Sequence, residues 1–331
     1  MIPLLECVPN FSEGKDFRIL NQIRDAIVSV PGQKLLHMDP SPSANRTVFT
    51  FAGQPEAVVE AAFRAIATAG RLIDMRTQQG THPRIGSTDV CPLIPLGGLP
   101  LEIAAGLSEQ LGQRVGKELG IPVYLYEHSA KEDYRRALPD IRKGQYEGLK
   151  AKMQRAGWQP DYGPSVQAWE RIAATGATVI GARDILVAFN ISLNTRDAGI
   201  AADIARQIRS RNDGLLPMLR AIGWYMADFD CAQVSMNLLD YRVTSPLKVW
   251  DTCTALAAAY GVAPTGCEVV GLIPEACVVE AGAAALGSSF AETRTEEAVA
   301  AGIHYLRLDR VKPFIPRKKI LEYVLKDAGL L

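Results

Sequence analysis

The sequence predicts an α+β protein built as two ferredoxin-like (split βαβ) subdomains from an internal duplication. Three observations predict it. The chain has 331 residues, 48% of them hydrophobic and 22% charged, which corresponds to roughly two domains of about 150 residues each. That composition supports sizeable cores and excludes disordered and fibrous classes. Each half repeats the element order β-α-β-β-α-β. The first strand of each half also ends alike, in Val8-Pro9-Asn10 and in Ala188-Phe189-Asn190. The subdomains are placed at residues 1–180 and 181–331.

In the first half a strand is expected at 4–8 and an amphipathic helix at 17–30. Strands follow at 34–38 and 47–51, the second alternating β-branched and aromatic residues. Residues 55–73 start with Pro, are rich in Ala and space their apolar residues helically, so they form a helix. A polar stretch at 76–89 leads into a strand at 90–95, a helix at 101–119 and a strand at 123–126. In the second half the strands fall at 185–191, 219–225, 233–239 and 268–272, with helices at 198–210 and 246–260. Residues 156–181, rich in Gly and aromatics, read as a connection, either a linker or a ligand-binding loop. Trp158 and Trp169 favour the loop, because solvated linkers rarely spend tryptophan.

Charge and cysteine use narrow the class. With 36 basic and 36 acidic side chains the net charge is zero, which argues against a nucleic-acid binder with its basic footprint. The six cysteines are scattered without a C-x-x-C pair, mostly in apolar runs, as in a reducing compartment. The N-terminus lacks a basic n-region and meets Glu6 too early for a signal peptide. The most membrane-like stretch, 276–287, contains Glu280 and is shorter than the ~20 residues of a span, so it is expected to be a core helix. A soluble cytoplasmic protein with no membrane partner is expected. Sequons begin at Asn10, Asn45 and Asn190, and without a secretory route those asparagines need another role.

Among four histidines, His37, His128 and His304 lie in or beside strand-like or apolar runs and read as structural. His82 sits in Gly80-Thr81-His82-Pro83-Arg84-Ile85-Gly86. Pro83 biases it toward extended backbone, the glycines allow close approach, and an imidazole exchanges protons near neutral pH. A structural and a catalytic His82 both remain open on these grounds. No metal is expected, since no His/Cys set has ligand spacing; Asp39 and Asp89 read more readily as cap or turn formers than as ligands. Nucleotide loops and G-x-S-x-G are absent. Polar residues gather after the first strand (Asn10, Ser12), between the second and third (Asp39, Ser41, Ser43, Asn45, Arg46), and at the matching place of the second half (Asn190, Asn194). This repetition points to a lined cleft. Arg46 and Arg84 are candidates to grip a carboxylate with two hydrogen bonds, with surface ion pairs as the alternative.

Several separated blocks resemble one family. They are Cys7-Val8-Pro9-Asn10-Phe11-Ser12-Glu13-Gly14, Asn45-Arg46-Thr47-Val48, Leu72-Ile73-Asp74-Met75, His82-Pro83-Arg84 with Asp89-Val90-Cys91-Pro92, and Val123-Tyr124-Leu125-Tyr126. Gly223-Trp224-Tyr225, Gln233-Val234-Ser235-Met236-Asn237-Leu238-Leu239-Asp240 and the tail at 317–324 continue them. Over residues 5–325 the chain is similar to glutamate formimidoyltransferase, the formiminotransferase domain of the formimidoyltransferase-cyclodeaminase family. The resemblance implies transfer of a formimidoyl group from N-formimidoyl-L-glutamate to N5 of tetrahydrofolate, releasing glutamate, in histidine breakdown and one-carbon metabolism. It implies two ferredoxin-like subdomains with a folate tunnel between them, and a homodimer. Tetrahydrofolate would be a co-substrate.

The family's catalytic histidine maps onto His82, and its folate-binding loop onto a stretch from Gly163-Pro164-Ser165 to Gly176, whose middle, 166–174, is longer than the family pattern. As general base and then general acid, His82 would serve both amines, with Asp39 holding the amidinium or orienting the imidazole. Arg142, Lys143, Lys312 and residues 317–319 could supply local positive potential. Because the chain ends at Leu331, a separate cyclodeaminase is expected to take the product. The rivals are a formyl transferase using N-formylglutamate and a non-catalytic folate or amino-acid sensor.

Overall fold

The computed structural model describes residues 3–210, 213–287 and 295–331. The chain divides into two units, Met1–Asp184 and Ile185–Leu331.

In the first unit, in chain order, the elements are β1 (Leu4–Cys7), β2 (Asn10–Phe11), α1 (Phe17–Val28), β3 (Gln33–Ser41), β4 (Arg46–Gly53), α2 (Pro55–Leu72) and β5 (Thr88–Leu96). There follow α3 (Leu101–Arg114), β6 (Val123–Leu125), α4 (Leu138–Arg142), α5 (Leu149–Met153), α6 (Trp169–Ile172) and β7 (Thr178–Ala182). The short β1 and β2 act as one interrupted strand, paired antiparallel to β4 on one side and β5 on the other. With β3 outside β4, the order β3-β4-β1/β2-β5 is the split βαβ arrangement.

The helices form where the apolar spacing allows. Asp16 caps α1 by accepting the Arg18 N–H, and Leu20, Ile23 and Ile27 make its buried stripe. Pro55 opens α2, whose Val58, Ala62, Ile66 and Ala69 are buried. These side chains pack with Leu5, Cys7, Phe49 and Phe51 on one face of the sheet, where Phe11 meets Phe49 edge to face at 5.5 Å. Residues directly opposite in a ladder share a face. The pairs Glu6↔Ala52, Asn10↔Val48, His37↔Thr50, Asp39↔Val48 and Ser41↔Arg46 therefore put Glu6, Asn10, His37, Asp39, Ser41, Arg46 and Thr50 on the other face. A bulge between Leu35 and His37 resets β3 so that its polar residues reach that side.

One expectation needs correcting. Residues 156–181 are not only a connection, for they end in β7, which runs parallel between β5 and β6. All five β7 residues are buried, as expected of a central parallel strand. Its β-branched run Thr178-Val179-Ile180 was masked in the sequence by flanking glycines. A boundary at 180/181 would cut this strand, and the division lies instead after Asp184. The expected helix at 101–119 is α-helical only to Arg114 and finishes in a wider π turn, Val115–Leu119.

The second unit repeats the plan with β8 (Val187–Leu193), α7 (Ala198–Ile208), β9 (Leu219–Met226), β10 (Cys231–Leu238), α8 (Pro246–Ala259) and β11 (Pro264–Val270). Its sheet order, β11-β8-β10-β9, is the same split βαβ. Val187, Phe189, Ile191 and Leu193 face the helices and pack with Ile204, Ile208, Val249 and Cys253. After it come α9 (Glu275–Leu286), α10 (Thr295–Tyr305), α11 (Pro316–Lys319) and α12 (Leu321–Asp327). The stretch 276–287 thus forms a largely buried helix, and no described helix is long and apolar enough to cross a membrane.

Candidate active site around His82

The polar stretch between α2 and β5 folds back over one end of the first unit's sheet. Asn45 donates from Nδ2 to the Gln79 carbonyl at 2.7 Å, and Gln78 returns a bond to the Asn45 carbonyl at 3.2 Å. Thr81 donates to the Ser43 carbonyl at 3.3 Å and Ser12 to that of Gly86 at 2.7 Å. The far side of the loop is stitched to the chain before β7. Ser87 donates its N–H to Thr175 at 2.8 Å, and Ala177 donates to Ile85 at 3.0 Å. This crossing needs glycine on both strands. A Cβ on Gly86 would lie 2.1 Å from the Ala177 carbonyl oxygen, and Gly176 has φ of +65°.

His82 sits at the turn of this loop, partly buried, with Nδ1 2.8 Å from the Pro83 carbonyl oxygen. A ring nitrogen that close to a carbonyl carries the proton, so Nε2 is the unprotonated nitrogen of the neutral ring. The imidazole is pushed well below its ordinary pKa of 6.5, first by burial and then by the charges of Arg46 and Arg142, with Asp89 opposing them. It is therefore neutral at neutral pH.

Asp89, the second residue of β5, is the hub beneath it. Its carboxylate is fully buried and accepts from Arg46 at 2.5 Å, from Arg142 and from the Ile85 N–H at 3.1 Å. Burial works to raise its pKa, but Arg142 and Arg46 outweigh this and hold it at about 2. Arg46, brought down to about 10 by burial, stays charged and reaches Asn10 Oδ1 through Nε at 3.0 Å. Arg142 ends α4, where the buried Lys152 ammonium holds the carbonyls of Asp140 and Ile141 at 3.2 and 2.5 Å. Two guanidiniums against one carboxylate leave the cluster a net positive charge beside a neutral base.

The structure thus joins His82, Arg46 and Asn10, and sets Gly176 against the same loop. It redirects Arg84, whose guanidinium grips the chain's own Glu147 at 2.7 and 2.9 Å, because that carboxylate comes within two-bond reach on the 142–149 segment. Asp39, on the polar face of β3, lies 3.7 Å from His37. Pro164 and Ser165 line a cavity of about 390 Å³ together with Gln167, Ala168, Glu170 and Arg171, and Gly163 immediately precedes it. Asn190 belongs to the second unit, buried on β8 and donating to Glu268 at 3.1 Å. Sequence reasoning undervalued Asp89, read as a turn former, and Arg142, read as diffuse positive charge. For Asp89 the signals were a lone Asp opening an apolar strand, which a turn explains as well, and its place in the Asp89-Val90-Cys91-Pro92 block of the resemblance. Among the described residues no group of three His, Cys, Asp or Glu is placed to hold a metal ion.

Comparison with known proteins meets this geometry. Residues 4–183 match the formiminotransferase domain, N-terminal subdomain, and residues 188–326 match the formiminotransferase domain. The chain is 42% identical over 336 residues to formimidoyltransferase-cyclodeaminase of Rattus norvegicus, covering 99% of this chain and 61% of that protein. It thus spans 61% of the length of that relative. It is 43% identical over 279 residues to glutamate formimidoyltransferase of Thermoplasma acidophilum, covering 84% of this chain and 90% of the relative. The corresponding enzyme of Streptococcus pyogenes serotype M1 is 39% identical over 281 residues, with 85% and 92% covered. With both of its split βαβ units matched in tandem, the chain belongs to the formiminotransferase family.

Proposed function

We propose that this protein transfers the formimidoyl group of N-formimidoyl-L-glutamate to N5 of tetrahydrofolate, releasing glutamate, with His82 as general base and then general acid. The observation that carries the role of His82 is its protonation state. Burial, Arg46 and Arg142 keep the imidazole neutral, with Nδ1 turned to the Pro83 carbonyl and Nε2 unprotonated. N5 attacks the formimidoyl carbon and the bond to the glutamate nitrogen then breaks. N5 must lose a proton and the departing nitrogen must gain one. An imidazole reachable from both moves that single proton, an effect typically worth about 10²–10⁴-fold.

The net positive charge of the Arg46–Asp89–Arg142 cluster suits two substrates that both carry carboxylates. Tetrahydrofolate would be held along 164–171, where Ser165, Gln167 and Glu170 supply polar edges and Arg171 a cation for its glutamate. No step of this chemistry calls on a metal. The reading belongs to histidine breakdown and one-carbon metabolism, in the cytoplasm, with a homodimer as the assembly and a cyclodeaminase to consume the product.

A turnover assay with N-formimidoyl-L-glutamate and tetrahydrofolate tests it, run beside N-formyl-L-glutamate. Formimidoyl transfer clearly faster than formyl transfer supports the reading. Formyl transfer alone, or bound folate without transfer from either donor, overturns it.

A further inference from the structure

We infer that the second unit carries a binding site of its own for a small organic carboxylate, at the end of its sheet that corresponds to the His82 end of the first. It stands on the second unit's residues alone and goes beyond the reading of His82.

The duplication supplies the location. In the first unit the chain between α2 and β5, residues 73–87, folds over the exit of β2 and the starts of β4 and β5. In the second unit the equivalent connection, between α8 and β11, is only residues 260–263. It closes directly on the exit of β8, with Asn194 N bonded to the Ala263 carbonyl at 3.0 Å. A connection so short does not itself fold over that sheet end. The space is a cavity of about 520 Å³, bounded by the β8 exit, the β9–β10 turn, Thr265 and residues 310–311. That size falls within the range of small-molecule sites, roughly 300–1,000 Å³.

The donors left over in its lining define the ligand. Asn194 accepts the Ala263 N–H on Oδ1 at 2.7 Å, which leaves its two amide donors. Thr195 Oγ1 accepts the Asp197 N–H at 3.1 Å and keeps its O–H to give. Arg310, its side chain 62% exposed, makes a 3.8 Å ion pair with Asp309 that is longer than a hydrogen bond, so this pair does not saturate its guanidinium N–H donors. Asp230 is the one carboxylate of the lining, and it is already engaged by Arg196 and by the Tyr225 hydroxyl at 2.5 Å. Surplus donors and one cation call for an anion, and a guanidinium with an amide matches the two oxygens of a carboxylate. Phe229 and Val311 complete the wall and suit a carbon body.

Cys231 provides the readout. It lines this cavity and is partly exposed, whereas the other five cysteines are buried. Its peptide-resolved alkylation by N-ethylmaleimide is followed in the intact protein with glutarate, with the uncharged diamide glutaramide and with inorganic phosphate. At about 10 mM, ten times a dissociation constant of about 1 mM, glutarate should slow labelling about tenfold by mass action. Glutaramide and phosphate should leave the rate unchanged. Arg310→Gln should remove the protection, Arg310→Lys should keep part of it, and His82→Ala should leave it intact. Lack of protection by glutarate, equal protection by phosphate, or protection that survives Arg310→Gln would each overturn the proposal. None of these results depends on whether formimidoyl transfer occurs.

Discussion

The two units share a sheet order and a pair of crossover helices, yet the corresponding ends of their sheets differ in one connection. In the first unit, residues 73–87 lay a glycine-pinned loop across the sheet end and bury a carboxylate between two arginines beneath it. In the second, residues 260–263 turn straight back into the sheet, and the acid at that end, Asp230, stays half-exposed with its arginine in solvent. The same fold thus makes a desolvated site where the connection is long and an open cavity where it is short. Water is what differs. Within the first unit burial comes first in lowering the proton affinity of His82, and the arginine charges add to it because they act through protein rather than solvent.

The largest effect should come from the residue that only the long connection provides. His82→Ala is expected to lower kcat about 10²–10⁴-fold while leaving folate affinity nearly unchanged, since a proton-transfer group acts mainly in the transition state. Steady-state kinetics with both substrates varied will show it. Near-wild-type turnover would mean that the loop shields the site without performing its chemistry.

The acids at the two sheet ends offer the next contrast. Asp89→Ala removes the partner of two buried guanidiniums, a change that costs about 3–5 kcal/mol in such settings. Asp230→Ala breaks an ion pair whose members are 53% and 74% exposed, for which ~0–1 kcal/mol is usual. Urea midpoints of the two variants should therefore separate widely. Similar midpoints would place the two ends in comparable surroundings.

Much of this was legible in the sequence. The split βαβ repeat followed from alternation in 47–51 and from the Ala-rich helix behind Pro55, whereas the two asparagines expected to end the first strands do not: Asn10 opens β2 and Asn190 lies in the middle of β8. His82 stood out because Pro83 and two glycines frame it. What stayed hidden depends on long-range pairing. β7 reads locally as a glycine-flanked tail, and only its position between β5 and β6 makes it a strand. Asp89 and Arg142 lie far apart in sequence, and no local pattern tells that a helix anchored by Lys152 brings them together. Arg84 shows the converse. Its composition and neighbours fit ligand binding, but Glu147 reaches it first.

Acid should distinguish stability from activity. Asp89 has its folded pKa held at about 2 against an ordinary 3.8, so the stability it contributes is complete above the ordinary value and is lost as pH falls through about 2. The amount is about 2 kcal/mol. His82 has the opposite charge type and a depressed folded pKa, so the unfolded chain takes up its proton first. Folding is thus weakened progressively as pH falls below 6.5. Over the same interval the folded enzyme keeps His82 in its basic form, and kcat/KM should run flat through pH 6.5 and turn down only at clearly lower pH. A break at 6.5 that disappears in His82→Ala would show an imidazole bathed in solvent, as it would be if the first sheet end were as open as the second.

The smallest contrast concerns backbone alone. A Cβ at Gly86 would meet the Ala177 carbonyl oxygen at 2.1 Å, so Gly86→Ala must push the loop off the chain before β7, at about 1–3 kcal/mol. Gly261, in the short connection, has φ of +69° but nothing within 4 Å of an added Cβ. Gly261→Ala should therefore cost only the left-handed backbone penalty, about 1 kcal/mol. Both variants are expected to fold, and their melting temperatures give the stability difference. Turnover gives more. Gly86→Ala should lose activity out of proportion to its stability, because the displaced segment carries His82 four residues away. Gly261→Ala should keep full kcat at a temperature where it remains folded. Equal kcat in the two variants would show that crossing the Gly176 strand fixes the loop's stability but not the position of its imidazole.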